Sequence, residues 1–265
     1  LFSNLASLFR YRGLIQSLVA RELKARYRGS ALGFFWSFVN PLLLLLIYSF
    51  VFTTVMPNHT AGVQPYTLFM FCGILPWTWF SSSLLEASGS LIAGGNLIKK
   101  VLFPAEVLPI VSVLANMVNF FLGLPILIVF LVLYQHLPAP ANLLWFPVVV
   151  FVQLLFTLAL ALTVSALSVH FRDVRDILSN LLTLWFFATP IIYPWFQPEV
   201  QQFKTFFNLN PFTHIVVTYQ EVLFFNNGPV GHWKWLVALG VASVVLFLAG
   251  YWLFDRLRDS FAEAV

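Results

Sequence analysis

Apolar residues fill the chain in six long blocks, separated by short polar or turn-rich segments. The blocks run over about 34–56, 66–85, 107–134, 143–169, 177–195 and 235–254. A membrane-crossing helix needs roughly 20 predominantly apolar residues. Each block is near that length and has no Asp, Glu, Lys or Arg in its interior. "PNHTAGVQP" (57–65), "YQHLPAPAN" (134–142) and "HFRDVRD" (170–176) supply turn-rich or charged breaks. The pattern predicts an all-α integral membrane protein with six transmembrane helices.

Two segments follow a different pattern. Near the start, Ile15, Val19, Leu23 and Tyr27 recur every four residues, with Leu14 and Leu18 beside them. Arg12, Gln16, Lys24 and Arg28 line another face, and Glu22 and Arg26 form an i,i+4 pair. This predicts an N-terminal amphipathic helix lying in the inner interface, apolar face in lipid, basic face toward headgroups or protein. Gly29, Ser30 and Gly33 allow a sharp turn into the first span. After the fifth block, "TPIIYPWFQP" (189–198) breaks the helix at Pro190 and Pro194, because each ring removes a backbone donor. "NPFTHIVVTYQEVLFF" (210–225) then starts with Asn210 as N-cap and Pro211 at the first helical position. Phe212, Ile215, Val216, Tyr219, Val222 and Leu223 make its apolar stripe, and Thr213, His214, Thr218, Gln220 and Glu221 cover the rest. It is too short and too polar to span, so a re-entrant or interfacial helix on the outer side is expected between spans five and six. Broken backbone at membrane depth is tolerated only where protein buries it or a wet cavity receives it, which points to a pore mouth.

Composition agrees with the blocks. The chain is 60% hydrophobic and 9% charged, against roughly 25% charged in soluble domains. Charge sets the orientation. With a cytoplasmic N-terminus, the inner side holds Arg10, Arg12, Arg21, Lys24, Arg26, Arg28, Lys99, Lys100, Arg172, Arg175, Arg256 and Arg258, leaving only Lys204 and Lys234 of the 14 basic residues outside. Both termini are therefore expected in the cytoplasm. No charged n-region with a short apolar core and cleavage site stands at the start, so the opening segment is expected to be retained. Cys72 is the only cysteine and reads as packing within a span. One domain is expected over 1–265: the interfacial helix (1–33), the membrane region (34–254) and a cytoplasmic tail (255–265).

The missing chemistry is informative. There is no GxxxxGK[ST] to cradle nucleotide phosphates. The histidines at 59, 136, 170, 214 and 232 have no metal-ligand spacing. "SSS" (81–83) has no paired His or acid nearby, so no nucleophile is indicated. Glu86, Glu106 and Glu221 sit at span ends, where solvated or helix-capping roles are expected. Ion-coupled carriers place charge inside spans despite a cost of about 2.5–3.5 kcal/mol each. This chain has none there, so energy for uphill movement must enter from another subunit on the cytoplasmic face. No catalytic residue, metal or cofactor is expected in this chain, and nothing points to nucleic acid.

The order of "RYRGSALGFFWSFVNPLLLLLIYSFVF" (26–52), "FCGILPWTWFSSSL" (71–84), "NLIKKVLFPAEVLPI" (96–110), "HFRDVRDI" (170–177), "TPIIYP" (189–194) and "NPFTHIV" (210–216) resembles the permease subunits of ABC exporters for lipid-linked polysaccharides. These are the ABC type-2 permeases for O-antigen, teichoic acid and capsule, and the LIKK block favours the O-antigen-like branch. The resemblance covers nearly the whole chain. It implies a homodimer of six-helix protomers in the bacterial inner membrane, two cytoplasmic ATPase subunits holding Mg-ATP, and transfer of a polyprenyl-diphosphate-linked glycan to the outer leaflet.

The resemblance also implies residue roles. The loop 87–104 becomes a coupling helix, with Asn96, Leu97, Ile98, Lys99 and Lys100 meeting the ATPase. Arg21 and Lys24 help seat it, and Arg172 and Asp173 form a further cytoplasmic candidate. Arg26 and Arg28 are expected to meet the lipid diphosphate through their bidentate forks. Trp36, Tyr48, Trp77, Trp185, Phe186, Phe187 and Tyr193 are expected to line a glycan channel, where flat apolar faces give a sliding sugar chain many weak contacts. Several of these rings serve equally as interfacial belt. Pro190, Pro194, Asn210, Pro211 and Glu221 are expected at the outer gate. Three other readings stay open: the same architecture with a drug or simple lipid as cargo, a glycosyl or acyl transferase acting on polyprenyl lipids, and a passive channel.

Overall fold

The computed structural model describes residues 10–26, 28–29, 33–55, 63–100, 103–171, 173–225 and 228–264. The regular structure among these residues is helical, with no strand among them. The helices are α1 (Arg12–Arg26), α2 (Trp36–Phe50), α3 (Tyr66–Ala93), α4 (Gly95–Lys100), α5 (Val107–Leu133), α6 (Pro140–Leu143), α7 (Phe146–His170), α8 (Val174–Phe187), α9 (Pro198–Gln201), α10 (Lys204–Leu209), α11 (Pro211–Leu223) and α12 (Trp233–Ala264).

Among the described residues, four helical segments are long and apolar enough to cross a membrane: α3, α5, α6 continued by α7, and α12. The first and fifth apolar blocks form shorter helices. A 3-10 turn (Gly33–Phe35) leads into α2, and a π turn (Val51–Val55) extends it. Block five ends early: α8 stops at Phe187, because Pro190 cannot donate and biases Thr189 away from helical backbone.

The centre of the bundle is α3, whose residues from Tyr66 to Trp77 are all buried. It packs against α5, α7, α8 and α11, while α7 and α12 make the most extensive helix pair. That pair closes tightly because Gly250 has no Cβ: one built there would lie 2.7 Å from the Ala159 carbonyl oxygen and 2.8 Å from Thr163 Oγ1.

Two elements expected at or re-entering from the interfaces pack against protein. In α1, Leu14, Ile15, Leu18 and Val19 pack on Val107 and Val111 of α5, so this apolar face meets protein rather than lipid. Tyr27, the last residue of the expected stripe, lies outside the described residues, as does Ser30. Gly29 and Gly33 make the turn at positive φ (79° and 50°), where glycine carries no Cβ penalty. The helix α11 is buried on nearly every side, including its polar residues Thr213, His214, Thr218 and Gln220. It is inserted among α3, α7 and α12 rather than resting on a surface.

Candidate functional site

Three polar constructions interrupt the apolar bundle. The first joins α1 to the centre. Arg26 donates through Nη2 to Glu86 Oε2 and through Nη1 to Asn116 Oδ1 at 3.0 Å. Its Nε lies 3.6 Å from Glu22 Oε1. Asn116 Nδ2 donates to the same Glu86 oxygen at 2.6 Å and to the Ser112 carbonyl at 3.0 Å. This clamp ties the last turn of α1 to α3 and α5. Glu86 is therefore a partnered rather than a free span end; its carboxylate holds an arginine from 60 residues earlier.

Glu86 also lines two cavities. One, about 380 Å³, is a cleft among α1, α3, α4 and α5, with Arg21, Glu22, Leu97 and Arg175 on its walls. The other, about 320 Å³, lies between α2, α3 and α5, walled by Trp36, Asn40, Thr78, Ser82, Asn116 and Asn119 among others. Arg26, Glu86 and Asn116 bound this second cavity.

The second construction knots the break after α8. Asn210 Oδ1 accepts from Phe212 N at 3.0 Å, the capping bond, and from Trp185 Nε1 at 2.7 Å. Asn210 Nδ2 donates to the Ala188 carbonyl and to Thr189 Oγ1, both at 2.9 Å. Gln220 Nε2 donates to the Pro190 carbonyl at 3.0 Å. Tyr193 closes the segment by donating to the Phe187 carbonyl at 2.7 Å. Pro190 and Pro194 are buried, and Pro211 occupies the first turn of α11 as expected.

An aromatic cluster surrounds this knot. The Trp77 ring packs 5.1 Å from Phe212, 5.7 Å from Phe186 and 6.4 Å from Trp185, and Phe80 stands 5.3 Å from Trp185. Trp77, Trp185 and Phe186 are thus brought together, with Trp77 buried in the packing and the other two half-buried. Phe187 faces outward, 60% exposed. Trp36 lies apart on the cavity wall, and Tyr48 stacks 6.4 Å from Phe52.

The third construction lies at the other end of α11. Glu221 Oε1 accepts from His232 Nδ1 at 2.9 Å, and Glu221 Oε2 accepts from His232 N at 3.0 Å. Asn142 Nδ2 donates to the Gly228 carbonyl at 3.1 Å. His214 Nε2 donates to the Asn208 carbonyl at 3.1 Å, and its ring stacks on Trp235 with 4.7 Å between centroids. Its Nδ1 is buried without a partner. Burial pushes this imidazole below its usual range, and His232 nearby pushes the same way. Glu221 is therefore paired rather than merely solvated.

At the end of the bundle where α3 and α5 join, α4 is a short helix hung between them. Asn96 and Lys99 are exposed, Leu97 lines the cleft, and Ile98 packs into a small core with Leu91, Ala105, Tyr251, Phe254 and Phe261. Lys100 belongs to the same helix. Glu106, expected in a solvated or helix-capping role, stands at the N-cap position of α5 without a side-chain capping bond, is 2% exposed and has Arg258 Nη1 3.9 Å from its Oε2. His170 Nε2 and Ser260 Oγ, 3.0 Å apart, add a second tie between α7 and α12. Arg21, Lys24 and Arg28 are exposed; Asp173 is exposed at the start of α8, and Arg172 lies outside the described residues.

Asn116, Gln220 and His232 carry much of this polar structure, Asn119 lines the second cavity, and none of the four was among the expected site residues. The amides at 116 and 119, one turn apart inside the apolar block "LANMVNFF", were the available signal.

Residues 13–224 match the model of the ABC-2 type transporter family. The chain is 44% identical to the O-antigen export system permease protein RfbA of Myxococcus xanthus, over 97% of each chain. It is 33% identical to the O-antigen export system permease protein RfbA of Klebsiella pneumoniae, over 98% of this chain and 96% of that one. It is 23% identical to the polysialic acid transport protein KpsM of Escherichia coli, over 79% of this chain and 80% of that one.

Proposed function

The chain belongs to the ABC-2 type transporter family, and we propose that it is the permease subunit of an exporter that moves an O-antigen-like, lipid-linked polysaccharide across the inner membrane. It is a transport subunit, not an enzyme; ATP is hydrolysed by a separate subunit. Capsule export is the second reading, favoured by the similarity to KpsM.

The observation that carries the coupling scheme is α4. This short helix presents Asn96 and Lys99 outward while Ile98 anchors it to the core beside α12, so a push on α4 is transmitted to α3 and α5. Arg21 and Lys24 offer cationic contacts to the same ATPase. Two protomers associate through the faces of α2 and α8. In α8 only Leu178 and Leu182 are buried, and Ile177, Leu181, Leu184 and Phe187 point away from the protomer. The glycan passes between the protomers along Tyr48, Trp185, Phe186 and Phe187, and the Asn210 knot with Pro190, Pro194 and Tyr193 forms the outer gate. The first and fifth helices complete six spans, with both termini cytoplasmic. Arg26 is committed to Glu22 and Glu86, so Arg28 is the arginine left to meet the lipid diphosphate.

The test is gentle purification of the tagged chain from its native membrane. An ATPase in equal amount, with hydrolysis stimulated by native glycolipid and lost in Lys99→Glu, is the expected result. A chain that purifies without any nucleotide-binding partner overturns the reading.

A further inference from the structure

We propose that the C-terminal end of α12, residues 257–261, is the seat that positions α4 against the ATPase subunit, an inference that rests on the exporter reading above. In sequence this stretch is only the tail that follows the last span. In the structure α12 runs on to Ala264. Spacing is the reason: Phe254, Leu257 and Phe261 recur at steps of three and four, so one helical face stays apolar past the span. Phe254 and Phe261 are buried, with ring centroids 5.1 Å apart.

That face receives α4. A helix of six residues does not hold its own direction, since isolated helices shorter than about 12–15 residues are marginal. Packing must set it. Ile98 packs on the core that holds Tyr251, Phe254 and Phe261, and α4 lies against α12. Leu97 lines the cleft shared with α1, which leaves Asn96 and Lys99 exposed.

The seat is itself fixed on two sides. Glu106, at the start of α5, is 2% exposed, and its Oε2 is buried without a hydrogen-bond partner. Among the described residues Arg258 is the cation that reaches it, at 3.9 Å, within ion-pair range but too long for a hydrogen bond. A buried carboxylate stripped of its cation is strongly destabilising, so this pair ties the end of α12 to the start of α5. On the other side His170, the last residue of α7, has Nε2 3.0 Å from Ser260 Oγ and its ring 6.2 Å from that of Phe261. One short stretch of helix thus fixes α4 relative to both α5 and α7. Loss of the seat frees α4 without undoing the bundle, because α7 and α12 pack on each other far beyond it.

Spin labels on the full chain in nanodiscs test this. One label is placed on α4 through Asn96→Cys and a control at the other end of the bundle through Leu144→Cys, both exposed positions; Cys72 is buried and stays. Phe261→Ala removes the floor of the seat, and Arg258→Gln, a change at a half-exposed side chain, loosens its tie to α5 if the first variant folds poorly. The label at 96 is expected to gain a fast-moving component in each, with the label at 144 unchanged, and Phe261→Leu and Arg258→Lys are expected to restore it. In unlabelled complexes with the ATPase, the same variants are expected to lower glycolipid-stimulated relative to basal hydrolysis at least about threefold. A label at 96 that stays immobile in both variants, equal loosening at 144, or unchanged stimulation with a freed α4 overturns the seat. A parent complex that native glycolipid does not stimulate overturns the exporter reading instead, and the label at 96 still reports whether α12 holds α4.

Discussion

Replacing Arg26 by Met removes the cation at the centre of the clamp and keeps most of its bulk. Three contacts disappear: to Glu86 Oε2, to Asn116 Oδ1 at 3.0 Å, and to Glu22 Oε1 at 3.6 Å. Glu86 is then left with one donor, Asn116. A fully buried pair broken on one side costs about 3–5 kcal/mol, and an exposed pair about 0–1 kcal/mol. The Arg26 and Glu86 side chains are 20% and 37% exposed, so water re-screens much of the orphaned carboxylate. The loss therefore falls between the two limits, at about 2 kcal/mol. For a protein of this size that lowers the unfolding temperature by about 4–8 °C. Glu86→Gln is milder, because Arg26 keeps Glu22, and about 1 kcal/mol is expected. The assay is thermal unfolding of the purified chain in one detergent, for Arg26→Met, Glu86→Met and the double variant. Coupling requires the double variant to lose at least about 1 kcal/mol less than the sum of the singles. If Arg26→Met melts within about 1 °C of the parent, or the single effects simply add, the clamp does not hold α1 to the bundle.

Asn210→Ala strips the cap and leaves Trp185 Nε1 without its acceptor; a loss of at least about 2 kcal/mol is expected in the same melt, with Asn210→Asp in between because it keeps both acceptor bonds. Gly250→Ala puts a methyl group against the Ala159 carbonyl and Thr163, and should cost about 1–3 kcal/mol and lower the yield of folded protein on size-exclusion chromatography. His214 titrates below its usual range, so the unfolded chain binds the extra proton first. Its contribution is complete above about pH 6.5 and is lost as pH falls below that value. The unfolding temperature should therefore drop from pH 7 toward pH 5, and His214→Gln, which keeps a donor for Asn208, should flatten that slope. Charge reversal at Lys99 should weaken ATPase retention on pull-down by about tenfold while leaving the melt of the isolated chain unchanged.

Much of the architecture was legible because its causes are local. Spans two, three, four and six announce themselves by length and apolarity, and α11 begins where Asn210 and Pro211 say it should. The spans run on past their apolar limits, α3 to Ala93 and α12 to Ala264, because their polar ends still pack on neighbours. The burial of α11 was hidden. Its polar residues are satisfied internally, as Thr218 Oγ1 donating to the His214 carbonyl, or by distant carbonyls, as Gln220 reaching Pro190. Glu86, Glu106 and Glu221 each acquire a partner only when the chain folds, Glu106 from Arg258 near the far end. The lipid face assigned to α1 failed for the same reason: an apolar stripe reports that something covers it, not what.

The brevity of α8 bears on how the protein is made. Fourteen residues reach only about two thirds of the way across a hydrocarbon core about 30 Å thick. Its own protomer buries just Leu178 and Leu182 of it. During synthesis this segment has little reason to leave the translocon alone. It must wait for Asn210 and α11 to emerge, pin its C-terminal end, and shelter its broken backbone. On the six-span reading, cooperative and late membrane insertion of this region is the expected outcome, and a ribosome stalled before residue 210 should leave a chain open to quality-control proteases at the α8 segment.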